Sequence, residues 1–359
     1  MKLAIISTHP VQYAAPVFQL LAKRVELKVF YTEGLGNTYD KEFQRKIQWD
    51  IPLLSGYNYE WIVGRTRIEQ ISRYQPQCLF IYGWASKGHL QLLRHFKNKT
   101  KIVFSGDSTL LKKLPWWKDK LKEFALTWVY QHVNYAVYAG THNKAYFLKY
   151  GLQEKQLTFA PHAIDNDRFS FQQPTPSNLR AELGLLQTDT LVLFAGKFND
   201  NKNVLGLLRA FIEISMKNAH LLFVGNGILE QQLKQEAMQH KNIHFLPFQN
   251  QLAMPGIYQV CDLFCLPSKN ESWGLSINEA MACGKAVLVS DQCGAAVDLV
   301  TTGNGVIFKS NEPEDLKRQL NYLLRQPLFL KEAGKHSFEI IRHWNFNVQV
   351  ENIITCLYA

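Results

Sequence analysis

Short apolar runs of about four to six residues, closed by glycine, proline or polar clusters, recur along the whole chain, with stretches of helical periodicity between them. Runs rich in Val, Ile, Leu and Phe that do not alternate with polar residues predict strands buried on both faces. In the first half they fall at residues 3–7, 27–31, 78–82, 102–105, 135–138 and 157–160. In the second half they fall at 191–195, 220–224, 243–246, 263–266, 286–290 and 305–308. Residues 203–215 and 229–240 space their apolar positions as helices do, and 343–359 reads as a closing helix. Strand, loop and helix in repeated alternation predicts α/β domains with parallel sheets. The most linker-like stretch is 169–187, where two prolines stand among polar residues. The expected organisation is a domain over 1–168, a linker over 169–187, a second domain over 188–342, and a helix over 343–359 packing back on the first domain.

Composition narrows the class. At 359 residues the chain suits two cores rather than one, and 47% hydrophobic with 13% aromatic residues excludes a disordered polymer. No apolar run approaches the roughly 18 residues of a membrane span. The first residues hold only a four-residue apolar core before polar positions interrupt it, so a buried strand is expected there rather than a signal peptide. Six cysteines show no paired C-x-x-C spacing and sit mostly in apolar runs, which predicts reduced thiols in a cytoplasmic protein. The net charge of +10 is uneven: residues 1–170 carry 24 Lys and Arg against 13 Asp and Glu, and the remainder 16 against 17. An anionic partner should therefore meet the first half.

Residues 268–284 carry the most chemistry. Glu271 and Glu279 stand eight residues apart, between a strand closed by Pro267 and a helix whose first turns hold Ser276, Asn278 and Glu279. A strand, a polar loop with Gly274 and a helix N-terminus can cradle an anion on free backbone N–H groups. Carboxylates beside such a cradle would repel phosphate and instead suit sugar hydroxyls, which can donate to them in pairs. Phosphate and hydroxyls bound together point to a nucleotide or a nucleotide sugar. Three further motifs precede this one: Gly196-Lys197 with Lys202 before a helix, the turn at Gly225 and Gly227, and Phe248-Gln249 after a strand. All four end strands at the edge where open α/β sheets bind ligands. The third glycine of the dinucleotide fingerprint is replaced by Glu230, which argues against NAD.

This ordered set, with the stretch from His162 to Asp165, resembles family 4 of the glycosyltransferases, strongly in the second half and weakly in the first. The resemblance implies an α/β fold of the GT-B type, two Rossmann-like domains with parallel sheets facing across a cleft. It assigns acceptor binding to the first domain and nucleotide-sugar binding to the second. It also implies retaining transfer from a nucleoside diphosphate sugar of UDP or GDP type, with no cofactor and no metal. Lys197 and Lys202 would face the diphosphate, Glu271 the donor sugar and Glu279 the ribose. The backbone around Trp273, Gly274, Leu275 and Ser276 would meet the phosphates, beside Gly196, Gly225 and Gly227. Phe248 and Gln249 either adjoin the nucleobase or serve packing alone. The chain departs from the family in having Lys197 where Arg is usual, which keeps the charge but not the bidentate fork. It also lacks the usual proline after Gly284.

In the first half, the loop holding His9 and Gln12 replaces the family's glycine-rich loop; these two side chains either contact the acceptor or cap locally. Asp107 takes the strand-end position where relatives place a histidine. It either takes the acceptor proton, as catalytic base beside Glu271, Lys202 and Lys197, or closes a local turn or helix cap. Asp165-Asn-Asp167 matches the metal motif of a different glycosyltransferase fold but directly precedes the linker, so no metal is expected there. Residues 111–130 interleave lysines with tryptophans, which suits an anionic bilayer on the inner face of the cell membrane; the alternative is a core helix with Phe124 and Trp128 turned inward. The functional expectation is a membrane-peripheral transferase acting on a glycan or lipid-linked acceptor in cell-surface polysaccharide assembly. A sugar-nucleotide hydrolase or epimerase is the second reading. A nucleic-acid-binding protein is the third, and no recognition helix or RNA-binding sheet supports it.

Overall fold

The computed structural model describes residues 1–33, 39–40, 43–62, 64, 67–84, 86–170 and 178–359. The chain divides into two compact units, one of Met1–Asn37, Ile51–His162 and Phe346–Ala359, the other of Thr38–Asp50 and Ala163–Asn345. Residues 171–177 of the expected linker lie outside the described residues; beyond them Leu179–Glu182 is a short helix.

The first unit holds β1 (Lys2–Ser7) and β2 (Glu26–Tyr31). The second unit takes β3 (Tyr39–Asp40) and β4 (Arg45–Lys46), a small antiparallel pair. The first unit continues with β5 (Asn58–Trp61), β6 (Cys78–Tyr82), β7 (Lys101–Ser105), β8 (Tyr135–Tyr138) and β9 (Leu157–Phe159). Its sheet runs in the order β5-β2-β1-β6-β7-β8-β9 with every pairing parallel. Alternation of side chains puts Ala4, Ile6, Phe30 and Ile81 in one core and Leu3, Ile5, Val29 and Phe80 in another, so both faces are covered. The second of these cores also contains Val350, Ile353 and Leu357 of the Phe346–Tyr358 helix.

The second unit holds β10 (Thr190–Ala195), β11 (Ala219–Val224), β12 (Ile243–Leu246), β13 (Leu263–Leu266), β14 (Ala286–Ser290) and β15 (Gly305–Phe308). They form an all-parallel sheet in the order β12-β11-β10-β13-β14-β15. Counted from its own first strand this is 3-2-1-4-5-6, the doubly wound order whose direction reverses between β10 and β13. Loops leaving those two strands diverge at the reversal and open a crevice at the strands' C-terminal ends, where the sequence concentrates its chemistry. In the first unit the same reversal falls between β1 and β6, beside the loop carrying His9.

All twelve expected strands are present, shifted by at most one residue at an end. The edge strand β5 reads as Asn-Tyr-Glu-Trp, is exposed over half its length and, among the described residues, pairs only with β2, so no apolar run announces it. Among the described residues no helix is long and apolar enough to cross a membrane. All six cysteines are buried and free. Burial raises their thiol pKa values, to about 12 at Cys78 and Cys261, which leaves them inert hydrophobes.

Candidate active site

The crevice of the second unit is built from two loops tied to each other. After β10, Gly196 and Lys197 lead to Asn199, whose side-chain oxygen accepts from the Lys202 N–H at 3.0 Å and caps the turn Asp200–Lys202. The Val204–Ile214 helix follows, after Asn203 in a left-handed conformation. The loop after β13 is bound to this turn twice: the Lys269 N–H donates to the Asn201 carbonyl at 2.8 Å, and Asn201 Nδ2 donates to the Asn270 carbonyl at 2.6 Å. This clamp sets Lys202 Nζ on Glu271 Oε2 as an ion pair, with both side chains at least four-fifths buried. Glu271 is fixed from behind: its N–H donates to the Gln292 carbonyl, and its carbonyl accepts from the Gly294 N–H.

Beyond Glu271 the chain has little freedom. Trp273 is buried, its indole N–H donates to Asn278 Oδ1 at 3.0 Å, and its ring stacks on Trp344 at 5.2 Å between centroids. Gly274 then adopts φ 98°, and a Cβ there would lie 2.9 Å from the Leu266 side chain, so glycine is required. The Leu275–Ala282 helix starts at this residue with no side chain capping it. Its first-turn N–H groups, at Leu275 and Ser276, have no carbonyl of the preceding turn to bond and carry the positive end of the helix dipole. Glu279, one turn on, is 4% exposed and accepts a hydrogen bond from the Tyr258 hydroxyl at 2.8 Å.

Gly225 and Gly227 have a structural duty. A Cβ at Gly225 would lie 1.9 Å from the Gly196 carbonyl oxygen, and one at Gly227 2.5 Å from that of Phe198. The turn after β11 thus lies directly against the loop carrying Lys197. Asn226 Oδ1 accepts from the Phe248 N–H at 2.8 Å, joining this turn to the end of β12. The Phe248 ring meets Phe43 and Trp49 edge-on, and Gln249 Nε2 donates to the Pro247 carbonyl at 3.1 Å. Lys197 is ion-paired with Asp40 at 3.2 Å and lies over the Phe43 ring. Lys197, Lys202, the glycine turns, Phe248, Glu271, Glu279 and the uncapped helix start thus share one sheet edge in one unit.

The expected acceptor residues belong to the first unit. His9 is exposed after β1, its Nδ1 3.0 Å from Thr8 Oγ1; Gln12 is half-buried on the same loop. Asp107 is exposed after β7, and no helix begins at it, which removes the helix-cap alternative. Asn143 pins this loop, donating to the Ser108 carbonyl at 2.9 Å and accepting from the Ala139 N–H at 3.0 Å. Burial holds the His162 imidazole below its ordinary pKa, and the charge of Asp107 opposes that shift, so the two groups are electrostatic neighbours. Asp165 instead caps the Asn166–Phe169 helix, accepting from the Arg168 N–H at 3.1 Å. Among the described residues no three His, Cys, Asp or Glu side chains are placed to hold a metal ion.

Residues 177–339 match the family model described as glycosyl transferases group 1. This part of the chain is a group 1 glycosyltransferase domain. The D-inositol 3-phosphate glycosyltransferase of Segniliparus rotundus is 28% identical over 195 residues, covering 52% of this chain and 43% of that protein. The chain thus spans less than half the length of that relative. Among solved structures, the sucrose-phosphate synthase of Thermosynechococcus elongatus superposes with a TM-score of 0.78 at 17% identity, over 100% of this chain and 98% of the other. Anabaena HepE in complex with UDP-glucose gives 0.75 at 16% identity, over all of both chains. The fold is GT-B, two α/β domains with parallel sheets.

The matched glycosyltransferase domain contains every expected donor residue, from Gly196 to Glu279; His9, Gln12 and Asp107 lie outside it. Asp40, Phe43 and Trp49 also lie outside it, yet they pack on its Lys197 and Phe248. Nothing in the sequence marks these three, because the contact joins residues some 150 to 200 positions apart. Tyr258, within the Met254–Val260 helix, and Trp344, in the turn before the Phe346–Tyr358 helix, are equally unmarked: the partner of each, Glu279 or Trp273, is known only from packing.

Proposed function

We propose that the protein is a retaining glycosyltransferase that moves a sugar from a nucleoside diphosphate donor, of UDP or GDP type, to a glycan or lipid-linked acceptor in cell-surface polysaccharide assembly. The observation that carries this reading is the Lys202–Glu271 pair beside Lys197 and the uncapped start of the Leu275–Ala282 helix, at the sheet's reversal point. Cations and helix N–H groups suit a diphosphate, and carboxylates beside them suit sugar and ribose hydroxyls. The complex of HepE with UDP-glucose supports the same donor class.

In this mechanism the bond from the anomeric carbon to the diphosphate oxygen breaks while the acceptor oxygen bonds to the same carbon on the same face. The acceptor proton passes to the departing diphosphate oxygen. Charge therefore grows on the diphosphate, and Lys197, Lys202 and the helix dipole stabilise it without a metal. Glu271 orients the donor sugar and Glu279 the ribose. His9, Gln12 and Asp107 contact the acceptor, Asp107 by accepting a hydrogen bond from its hydroxyl.

We further place the protein on the cytoplasmic face of an anionic membrane through the Trp116–Tyr130 helix. Trp117, Leu121, Phe124 and Trp128, spaced by four, three and four, form one exposed stripe, with Phe124 79% exposed. Leu126, Val129 and Tyr130 are buried on the opposite side, so Phe124 and Trp128 are not core residues. Lys118 and Lys120 flank the stripe, whereas Lys122 turns inward over the Tyr146 and Tyr150 rings. An apolar stripe edged by lysines matches the charge and depth of an anionic headgroup layer. A hydrolase or epimerase has no need of such a surface.

Thermal-shift measurements with UDP, GDP, ADP and TDP test the donor assignment. Stabilisation by one or two of them is expected, and stabilisation by none would refute the transferase reading. The anomeric configuration of the product, read by NMR, tests retention.

A further inference from the structure

The segment Thr38–Asp50 is numbered within the first half but folds with the glycosyltransferase domain. Two hydrogen bonds tie its C-terminal end there. Asn250 Nδ2 donates to the Gln48 carbonyl at 2.6 Å, and Asp50 Oδ2 accepts from the Leu252 N–H at 3.1 Å. Phe43 and Trp49 close on Phe248, with ring centroids at 5.1 and 6.2 Å. A cavity of about 400 Å³ lies beneath, lined by Phe43, Gln44, Lys46, Asn226, Gly227 and Glu230. The strap therefore spans the Gly227 turn while leaving space against it.

Asp40 is aimed within this strap. Its Oδ1 accepts from the Phe43 N–H at 3.0 Å, which orients the carboxylate, and its Oδ2 meets Lys197 Nζ at 3.2 Å. Phe43 meanwhile presents its ring to the same ammonium at 5.1 Å. Each of the two lysines assigned to the diphosphate thus already has a carboxylate counter-ion, Lys202 in Glu271 and Lys197 in Asp40. The pairs differ in kind. Glu271 keeps a task when the donor is bound, because sugar hydroxyls can donate to it. Asp40 has none there, since an anion beside a diphosphate is repulsive.

We propose that Asp40 is a donor-site residue that occupies Lys197 in place of a phosphate and is displaced from it when a nucleoside diphosphate binds; this rests on the donor reading given above. Both side chains of the pair are more than a quarter exposed, so the pair is weak enough to exchange. A ligand must bring enough charge to outcompete a carboxylate already in position. A diphosphate, which also engages Lys202 and the helix N-terminus, meets that requirement, and an unphosphorylated nucleoside does not. Asp40 therefore lowers the affinity of the site for the diphosphate and leaves its affinity for the nucleoside portion alone.

Calorimetric titration of the full chain with UDP, GDP, ADP and TDP, and with the nucleoside of whichever binds, tests this. Asp40→Asn keeps the oxygen that accepts from Phe43 and removes the charge. It is expected to tighten nucleoside diphosphate binding about three- to tenfold and to leave nucleoside binding unchanged. Lys197→Ala weakens the diphosphate and abolishes the gain from Asp40→Asn when the two are combined. Wild-type binding that Asp40→Asn leaves unchanged or weakens overturns the role of Asp40 alone. Binding of none of the four diphosphates by either protein overturns the donor reading and this inference together.

Discussion

At the scale of single residues, Lys202 and Glu271 are joined more tightly than a list of donor contacts would suggest. Two mostly buried, oppositely charged side chains stabilise each other, and removing one leaves the other's charge poorly solvated. Lys202→Ala and Glu271→Ala are each expected to destabilise the domain by about 1–3 kcal/mol. The double variant should lose clearly less than the sum, because it leaves no unpaired charge. Urea denaturation of the four proteins reads this coupling, and simple additivity would show that the pair does not form in solution. Transfer should fall at least about a hundredfold in each single variant, with no recovery in the double, since the donor needs both groups. Glu279 is different in kind. It accepts a hydrogen bond from the neutral Tyr258 hydroxyl, and Glu279→Gln keeps an acceptor for that bond while removing the charge.

At the scale of elements, the Trp116–Tyr130 helix has two apolar faces, and only one of them is needed for folding. Leu121→Glu with Phe124→Glu should therefore leave the thermal midpoint within about 1 °C while abolishing co-sedimentation with phosphatidylglycerol vesicles; both side chains are exposed, and such substitutions cost little stability. Binding to zwitterionic vesicles should be weaker throughout, and added salt should release the protein from the anionic ones. Undiminished sedimentation of the double variant would remove the helix from the membrane assignment. The same helix shows where sequence reading stops. Its composition gave the tryptophans and lysines, but Lys122 turning inward and Phe124 turning outward depend on what the unit's core offers each face. Buried strands were legible because burial on both faces demands uninterrupted apolar runs, as in residues 191–195. Half-exposed β5 and the two-residue strands β3 and β4 make no such demand. Likewise, motifs at the ends of β10, β11 and β13 could be ordered from sequence because the fold brings parallel strand ends together. The Asp40–Lys197 contact follows from no local rule and appears only with the packing of the strap.

At the scale of the whole molecule, acid stability rests on imidazoles kept neutral by burial. His89 is buried in the first unit between the Gly83 carbonyl and the Thr32 hydroxyl, at 2.9 Å from each. In the second unit His220 and His244 face each other at 2.9 Å between ring nitrogens, at the sheet edge opposite the crevice, and only one proton fits between them. Burial lowers the pKa of all three, and in the second unit each additional charge would also repel its neighbour. Asp189, at 3.5 Å from His220, opposes the shift there without reversing it. Because these folded-state values lie below that of an unfolded histidine, about 6.5, the unfolded chain binds more protons as pH falls through that value. Their contribution is therefore complete above about pH 6.5 and is lost progressively as pH falls through the folded values. The carboxylates with depressed values, such as Glu230, Glu236 and Asp315, lose their contribution only at lower pH, so the first decline belongs to the histidines. Scanning calorimetry at pH 7.5, 6.5 and 5.5 should show a flat upper interval and a falling lower one, in both units. A combined His89→Gln, His244→Gln variant, although less stable at pH 7.5, should lose less on acidification. A wild-type profile that is level down to pH 5.5 would mean that these imidazoles titrate alike in the folded and unfolded chain.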